Sequence, residues 1–262
     1  MSVFYLKVLV TPLLMLGISL ASRRWGAKVG GLLSGLPVTS ALVMLFLSLE
    51  QGAAFATQAV PGALAGLAAV QASYLCYFHV TRKVPALAGS VAALTSYTVI
   101  AWAISRLGSL SLSVLSTVVI LSLIIFTTSK ESQIPASGLG KTLRPVPRWI
   151  IPMRMLTATL LLLAITASAD WLGPVASGLL APVPVIAWPL AVFAHVQGGR
   201  EELSAIVRGN AIGAIGVLGF YLTFKASIGN WGSVWAIFAS VLLALVATIT
   251  LARCLDKGSS RA

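Results

Sequence analysis

The sequence is poor in charge, and the charge that it has is mostly of one sign. Only 9% of its 262 residues are charged, against about 25% in an ordinary soluble domain. Six residues are Asp or Glu, against 18 Lys or Arg. This scarcity excludes a soluble globule, a nucleic-acid-binding domain and a disordered chain, because none of them tolerates long runs without a charge. With 58% hydrophobic residues and a mean hydropathy of +0.97, the chain is expected to lie in a lipid bilayer.

Cysteines and catalytic motifs are also scarce. Cys76 and Cys254 form no CxxC pair, so the sequence offers neither a disulfide framework nor a thiolate metal cluster. There is no HExxH, GxSxG or phosphate-binding loop motif, and His79 and His195 are the only histidines. We therefore expect no enzyme activity, no catalytic residues, no metal and no cofactor.

The chain instead contains nine apolar stretches long enough to cross about 30 Å of hydrocarbon as helices of roughly 20 residues. The stretches are continuous rather than alternating, which favours helices over strands. The predicted fold is an all-α polytopic membrane protein. The nine predicted spans are Phe4 to Ala21, Val29 to Leu49, Thr57 to Tyr77, Val84 to Ser105, Ser109 to Thr128, Trp149 to Ala167, Leu172 to Ala194, Leu203 to Phe224 and Trp231 to Leu251.

The basic residues predict the orientation of these spans. Alternate loops lie on opposite sides of a membrane, and the 18 Lys and Arg residues then divide into 15 on one side and 3 on the other. Because Lys and Arg collect in cytoplasmic loops, the amino terminus is predicted outside and the carboxyl terminus in the cytoplasm. We expect an integral protein of the bacterial inner (plasma) membrane. Trp25, Trp149, Trp171 and Trp231 lie near span ends, where indole rings favour the head-group region.

An internal repeat divides the chain into two halves. Shifting the sequence by 147 residues aligns residues 26–75 with residues 173–222 and gives 14 identities, where about five are expected by chance. The same shift pairs spans one to four with spans six to nine and leaves span five unpaired. The second copy must then enter the membrane from the opposite side, so the two copies are inverted. The identities include Pro37 and Val38 with Pro184 and Val185, Gly52 with Gly199, and Tyr74 and Leu75 with Tyr221 and Leu222.

This repeat gives the domain organisation. In plan, two inverted four-helix units with a linking span resemble compact drug/metabolite-type exporters, whose halves carry five spans each; the tenth span is missing here. The predicted parts are a first four-helix repeat at 1–107, a linking span at 108–128, a cytoplasmic linker at 129–148, a second four-helix repeat at 149–255 and a basic tail at 256–262.

Inverted repeats predict transport, because two such copies can exchange inward-open and outward-open shapes. The leading hypothesis is a secondary transporter, a permease or exporter, of a small organic solute, with anions among the candidates. The alternatives are a flippase for a lipid or a lipid-linked carrier, and a nonenzymatic membrane subunit of a complex. The expected partners are the solute and membrane lipids, with no nucleic acid, and homo-oligomerisation stays open.

The predicted substrate site lies where spans two and seven are interrupted at matched positions. Proline removes an amide donor and frees backbone groups, and a half-helix that begins there aims its positive end at the membrane centre. A packed proline kink is the alternative for each helix. Polar or aromatic side chains of spans two, three, seven and eight complete the site, although helix-to-helix contacts would also explain them. The predicted substrate-binding residues are Pro37, Thr39, Ser40, Gln71, Tyr74, Pro184, Trp188, Asn210 and Tyr221.

Two ionisable residues are candidates for proton coupling. Glu50 ends span two near the outer surface, and intramembrane acids often serve proton relays; an interfacial residue in contact with water is the alternative. His195 ends span seven near the inner surface and titrates near neutrality, although a solvated histidine is the commoner outcome. The glycine pairs Gly62 with Gly66 and Gly209 with Gly213 are predicted to permit close helix packing.

Overall fold

The computed structural model describes residues 4–14, 16–17, 20, 24, 36–107, 109–129, 150–183 and 187–259. Within these ranges the chain is almost entirely helical and has no strand, which confirms the all-α prediction. The helices are α1 (Phe4–Leu14), α2 (Val38–Glu50), α3 (Gly52–Val80), α4 (Ala86–Leu107), α5 (Leu110–Ser129), α6 (Ile150–Ala167), α7 (Ala169–Leu180) and α8 (Ala187–Ser259).

Four of the helical stretches are long and apolar enough to cross a membrane. They are Gly52–Val80, Ala86–Arg106, Leu110–Thr128 and Gly198–Leu251, and α1, α2 and α6 supply shorter apolar helices. Large apolar side chains such as Trp102 and Trp235 point away from the protein, with exposed fractions of 62% and 68%. Such faces are stable in lipid, so the chain is an integral membrane protein.

α8 is broken twice by glycine. Gly199 has φ 76° and ψ −158°, and Gly232 has φ 73° and ψ 170°, conformations that are essentially restricted to glycine. The breaks divide α8 into a first segment (187–198), a second segment (200–231) and a third segment (233–259). These segments correspond to the second half of predicted span seven and to spans eight and nine. The helix continues to Ser259, so it runs into the region predicted as a basic tail.

α3 is the central helix and contacts α2, α4, α5, α7 and α8. Gly62 and Gly66 allow α7 to approach backbone to backbone, because a Cβ atom at Gly62 would collide with the Val175 carbonyl oxygen and one at Gly66 with that of Leu179. This confirms the predicted packing role of the first glycine pair. Because the residue numbers rise together along both helices, α3 and α7 run in the same direction.

Several predicted features lie outside the described residues. The linker predicted at 129–148 is described only at its first residue, and Pro184 and the first half of span two are not described. The packing predicted for Gly209 and Gly213 stays a prediction.

Candidate functional site

Both predicted helix interruptions coincide with helix ends. α2 begins at Val38 after Pro37, without a side-chain cap among the described residues. α7 ends at Leu180, residues 181–183 are not helical, and the described part of α8 begins at Ala187, so predicted span seven is divided in two. We call α2 and the first segment of α8 the two half-helices. The first turn of an α-helix has amide groups without intrahelical partners, so the start of α2 is a positive dipole end, although the Val38 N–H already donates to the Leu36 carbonyl oxygen at 2.8 Å.

Tyr221 lies at the beginning of the first half-helix. Its side chain is fully buried, and its hydroxyl has no hydrogen-bond partner among the described residues. The side chain of Ser40, in the first turn of α2, lies beside this hydroxyl in an arrangement that falls short of a well-formed hydrogen bond. Tyr97 of α4 is close enough to Tyr221 for an electrostatic interaction.

Tyr74 lies at the beginning of the second half-helix. Its ring centroid is 5.3 Å from that of Trp188, the second residue of α8, and Tyr77 flanks the same indole at 5.4 Å. The Tyr74 side chain is fully buried, and its hydroxyl also lacks a hydrogen-bond partner among the described residues. Tyr74 and Tyr221 are matched by the internal repeat. Each lies beside the half-helix that the alignment assigns to the other half of the chain.

A buried amide pair connects the two copies beside Tyr74. The Gln71 Nε2 atom donates to the Asn210 Oδ1 atom at 3.1 Å, and the two side chains are 2% and 3% exposed. The Gln71 Oε1 atom is buried without a partner among the described residues. Gln71 lies one helical turn before Tyr74, on the same face of α3.

The structure therefore brings the predicted site residues into two groups. Ser40 and Tyr221 form one group, and Gln71, Tyr74, Trp188 and Asn210 form the other. Thr39 is half-buried at the start of α2 and Pro37 is buried immediately before it. Their role in binding, like that of the two groups, stays a prediction.

Glu50 belongs to a separate polar cluster at one end of the protein. The Lys7 Nζ atom lies 2.6 Å from a Glu50 carboxylate oxygen and donates to the Thr166 Oγ1 atom at 2.7 Å. Lys7 is 6% exposed and Glu50 is 28% exposed, measured on the side chains. The cluster thus joins α1, α2 and α6 through an ammonium that is buried and a carboxylate that reaches the surface.

Sequence reasoning did not identify Lys7 as a partner of Glu50. One signal was present: Lys7 is one of the 3 basic residues on the predicted outer side. It is the only one of the three that lies inside a predicted span, Phe4 to Ala21.

His195 belongs to a cluster at the opposite end. Its Nδ1 atom lies 3.0 Å from the Tyr77 hydroxyl. The Arg200 guanidinium donates to the Phe78 carbonyl oxygen at 2.8 Å and lies 4.1 Å from the centre of the Phe78 ring. Burial, and then the positive charge of Arg200, hold the pKa of His195 below its ordinary value of 6.5. The neutral imidazole is therefore favoured in the folded protein.

Tyr77 and Arg200 were also missed by the sequence analysis. For Tyr77 a signal was available, because it follows Tyr74 by one helical turn and so shares its face of the helix. For Arg200 nothing in the neighbouring sequence indicated a contact with α3. Among the described residues, no three His, Cys, Asp or Glu side chains come together as a metal site requires.

Comparison with known proteins finds no match for this chain among protein-family models, curated proteins or solved structures.

Proposed function

We propose that the chain is a nine-span secondary transporter, in which two inverted four-helix repeats move a small organic solute by alternating access. The direction of α7 supports the inversion. α2 and α3 are joined through Gln51 and pack against each other, so they form an antiparallel hairpin. α7 is the first half of span seven, the counterpart of span two, yet it runs parallel to α3. α7 therefore runs opposite to α2, as the proposed inversion requires if span two has one direction along its length.

The junction at which each half-helix is followed by a long helix, α3 or the second segment of α8, also supports the repeat. Gly52 begins α3 with φ 88°, and Gly199 precedes the second segment of α8 with φ 76°. The two glycines occupy matched positions of the alignment, and each stands at the same kind of helix junction.

Contacts at the two ends of the molecule agree with the proposed topology. Lys7, Glu50 and Thr166 lie at the ends of spans one, two and six, all of which are predicted outside. At the other end, Arg200 bonds the Phe78 carbonyl, and Arg208 donates to the Ile125 carbonyl at 3.1 Å. These contacts join span ends that are predicted in the cytoplasm. They agree with two ends that lie on opposite sides of the membrane; the distribution of Lys and Arg is what favours an outside amino terminus and a cytoplasmic carboxyl terminus in the inner membrane.

One observation carries the proposal of a solute site: the buried hydroxyls of Tyr74 and Tyr221, at matched positions of the predicted repeat, make no well-formed hydrogen bond to a described residue. A buried hydroxyl without a partner costs about 1–3 kcal/mol, so it is rarely retained without a reason. A polar solute bound beside the half-helices would provide hydrogen-bond partners for the Tyr74 and Tyr221 hydroxyls. Discontinuous helices of this kind form the solute sites of transporters built from inverted repeats.

The two end clusters supply the gates of this mechanism. The ion pair of Lys7 and Glu50 holds the outer ends of α1 and α2 together, and contacts of Tyr77 with His195 and of Arg200 with Phe78 hold the inner ends. Opening one end breaks one cluster and leaves the other intact. Protonation of Glu50 would remove the carboxylate that neutralises Lys7, and protonation of His195 would place a charge beside Arg200. Each event favours opening of its own end and would couple proton movement to transport.

The experiment is an untargeted comparison of metabolites inside and outside cells that lack the protein, have it restored, or carry Tyr74→Phe with Tyr221→Phe. Tyr5→Phe is the control, because Tyr5 is 65% exposed on α1. We expect a solute to redistribute with the wild-type protein and the control and not with the double variant. No redistribution together with altered envelope lipids would favour the flippase, and a stoichiometric partner on purification would favour the subunit.

A further inference from the structure

We infer that the group formed by Gln71, Tyr74, Trp188 and Asn210 takes an uncharged solute in which an N–H donor stands next to a carbonyl oxygen, as in a lactam or a ureide. The inference rests on the proposed transport function and names the substrate class that this group selects. Three observations carry it: an unpaired acceptor and an unpaired hydroxyl on one face of α3, an apolar counterpart in the other half of the chain, and surroundings without charge.

The Gln71 amide offers an acceptor whose orientation is fixed. Its Nε2 atom donates to the Asn210 Oδ1 atom at 3.1 Å, so the Oε1 atom is the end of the amide that stays free. This oxygen is buried, and no described residue donates a hydrogen bond to it. Because a carbonyl oxygen can only accept, the partner that it lacks is a group with an N–H or an O–H.

The Tyr74 hydroxyl lies on the same side of α3 as the Gln71 amide, because residues three apart in a helix are neighbours. It is also buried without a partner among the described residues. A tyrosine hydroxyl can donate as well as accept. A solute whose N–H faces Gln71 and whose carbonyl faces Tyr74 would therefore pair both atoms at once. A water molecule has the same two capacities, and the test separates it from a solute.

The other half of the chain has no such amide pair. The shift of 147 residues matches Gln71 with Leu218 and Asn210 with Ala63. Ala63 belongs to the apolar core, and Leu218 packs against that core. Helix packing at the matched positions therefore does without amides, which favours a ligand-binding role for Gln71 and Asn210 over a structural one.

The surroundings of the two unpaired atoms favour an uncharged solute. The four side chains of the group carry no charge at neutral pH, and those of Gln71 and Asn210 are 2% and 3% exposed. A charged group placed here would lose its hydration without gaining a counter-charge. The Trp188 indole is half-buried and its centroid lies 5.3 Å from that of Tyr74, so it offers aromatic surface to a flat solute.

The test measures binding of 2-pyridone to the purified full-length protein by equilibrium dialysis and thermal shift. This probe is a planar ring in which an N–H stands next to a carbonyl. N-methyl-2-pyridone lacks the donor, benzoate carries a negative charge and benzylamine carries a positive charge. We expect 2-pyridone to bind saturably and to raise Tm. Each of the other three should have at most about a tenth of its affinity, because a buried polar site rejects an analogue that leaves its groups unpaired.

Variants locate the binding and separate it from a structural role. Tyr74→Phe should weaken 2-pyridone binding roughly three- to tenfold, the range of one hydrogen bond. Gln71→Leu with Asn210→Ala introduces the side chains of the matched positions. This double variant should lose 2-pyridone binding at least about tenfold while its Tm without ligand stays close to that of the wild type, because removing both partners of a buried pair is nearly neutral. Tyr5→Phe, on an exposed residue, is the control.

Equal binding of 2-pyridone and N-methyl-2-pyridone, or unchanged 2-pyridone binding in the double variant, would overturn the inference. No saturable binding at millimolar concentration would mean that water alone pairs the two atoms, and it would overturn the inference too. If the double variant does not fold, the four probes and Tyr74→Phe decide. A protein that redistributes a metabolite in cells but binds no 2-pyridone refutes the substrate class alone, whereas one that redistributes no metabolite refutes the transport proposal.

Discussion

Gly52 and Gly199 are 147 positions apart and share a left-handed backbone conformation, with φ of 88° and 76°. Gly52 follows the half-helix α2, and Gly199 follows the half-helix at the start of α8. In both places the chain turns and a long helix begins, α3 after Gln51 and the second segment of α8 after Gly199. This agreement at one pair of matched positions fits the proposed repeat.

Replacing either glycine by alanine should destabilise the protein. At Gly199 the ψ of −158° places the residue in a region that side chains with a Cβ atom rarely adopt, so Gly199→Ala should cost about 1–3 kcal/mol. Gly52→Ala should also destabilise the protein, because the φ of 88° at Gly52 is unfavourable for a residue with a Cβ atom. The measurement is unfolding of the purified protein in detergent. Gly219→Ala is the control, because Gly219 is helical and has open space around it; equal losses of stability in all three variants would contradict this explanation.

The contact between α3 and α7 depends on glycine for a different reason. A Cβ atom at Gly62 would collide with the Val175 carbonyl oxygen, and backbone cannot move aside as a flexible side chain can. Gly62→Ala should therefore separate the two helices and cost about 1–3 kcal/mol, the usual range for overpacking. Tm and the yield of monodisperse protein report the effect. Gly229→Ala, in open space, should keep the wild-type Tm. A Gly62→Ala variant with wild-type Tm would show that α3 and α7 are not in backbone contact.

The ion pair of Lys7 and Glu50 predicts that replacing Glu50 destabilises the protein more than replacing Lys7. Glu50→Gln leaves a buried ammonium without its counter-charge and should cost about 3 kcal/mol. Lys7→Met leaves a carboxylate that reaches the surface and should cost about 1 kcal/mol. The double variant should be more stable than Glu50→Gln alone. Unfolding of the three variants gives the coupling energy, and equal losses for the two single variants would contradict the buried position of Lys7.

Because the pKa of His195 is lowered in the folded protein, we expect the stability of the protein to fall in acid. Burial and Arg200 lower its pKa in the folded protein, so the unfolded chain binds more protons as the pH falls through the ordinary value of 6.5. The stabilisation is therefore present above that pH and is lost progressively below it. Tm measured from pH 8 to pH 5 should fall less steeply in His195→Gln than in the wild type. His79→Gln serves as the control histidine, and identical profiles for wild type and His195→Gln would refute the prediction.

The start of α2 could be predicted because proline acts locally. Pro37 lacks the amide donor that would continue a helix, and the structure begins α2 immediately after it. The spacing of Gly62 and Gly66 likewise indicated a packing face, although not that α7 would occupy it. Both features depend on short segments of sequence.

Contacts between distant segments could not be predicted in the same way. Lys7 and Glu50 are 43 residues apart, and the choice of partner depends on how α1 packs against α2. Tyr77 and His195, 118 residues apart, meet only because α8 returns to α3. Periodicity and composition identify the faces of helices, whereas the pairing of faces is determined by the fold as a whole.

The most direct test of the account is the accessibility of Ser40 from the two faces of the membrane. Ser40→Cys, in a background without Cys76 and Cys254, is exposed to a membrane-impermeant thiol reagent in right-side-out and in inverted vesicles. Gln51→Cys and Gly198→Cys mark the two hairpins. We predict that Gln51→Cys reacts from the outside, Gly198→Cys from the inside, and Ser40→Cys from both faces, because alternating access opens the half-helix starts to each side in turn. Labelling of Ser40→Cys from one face alone, or of both hairpins from the same face, would contradict the account.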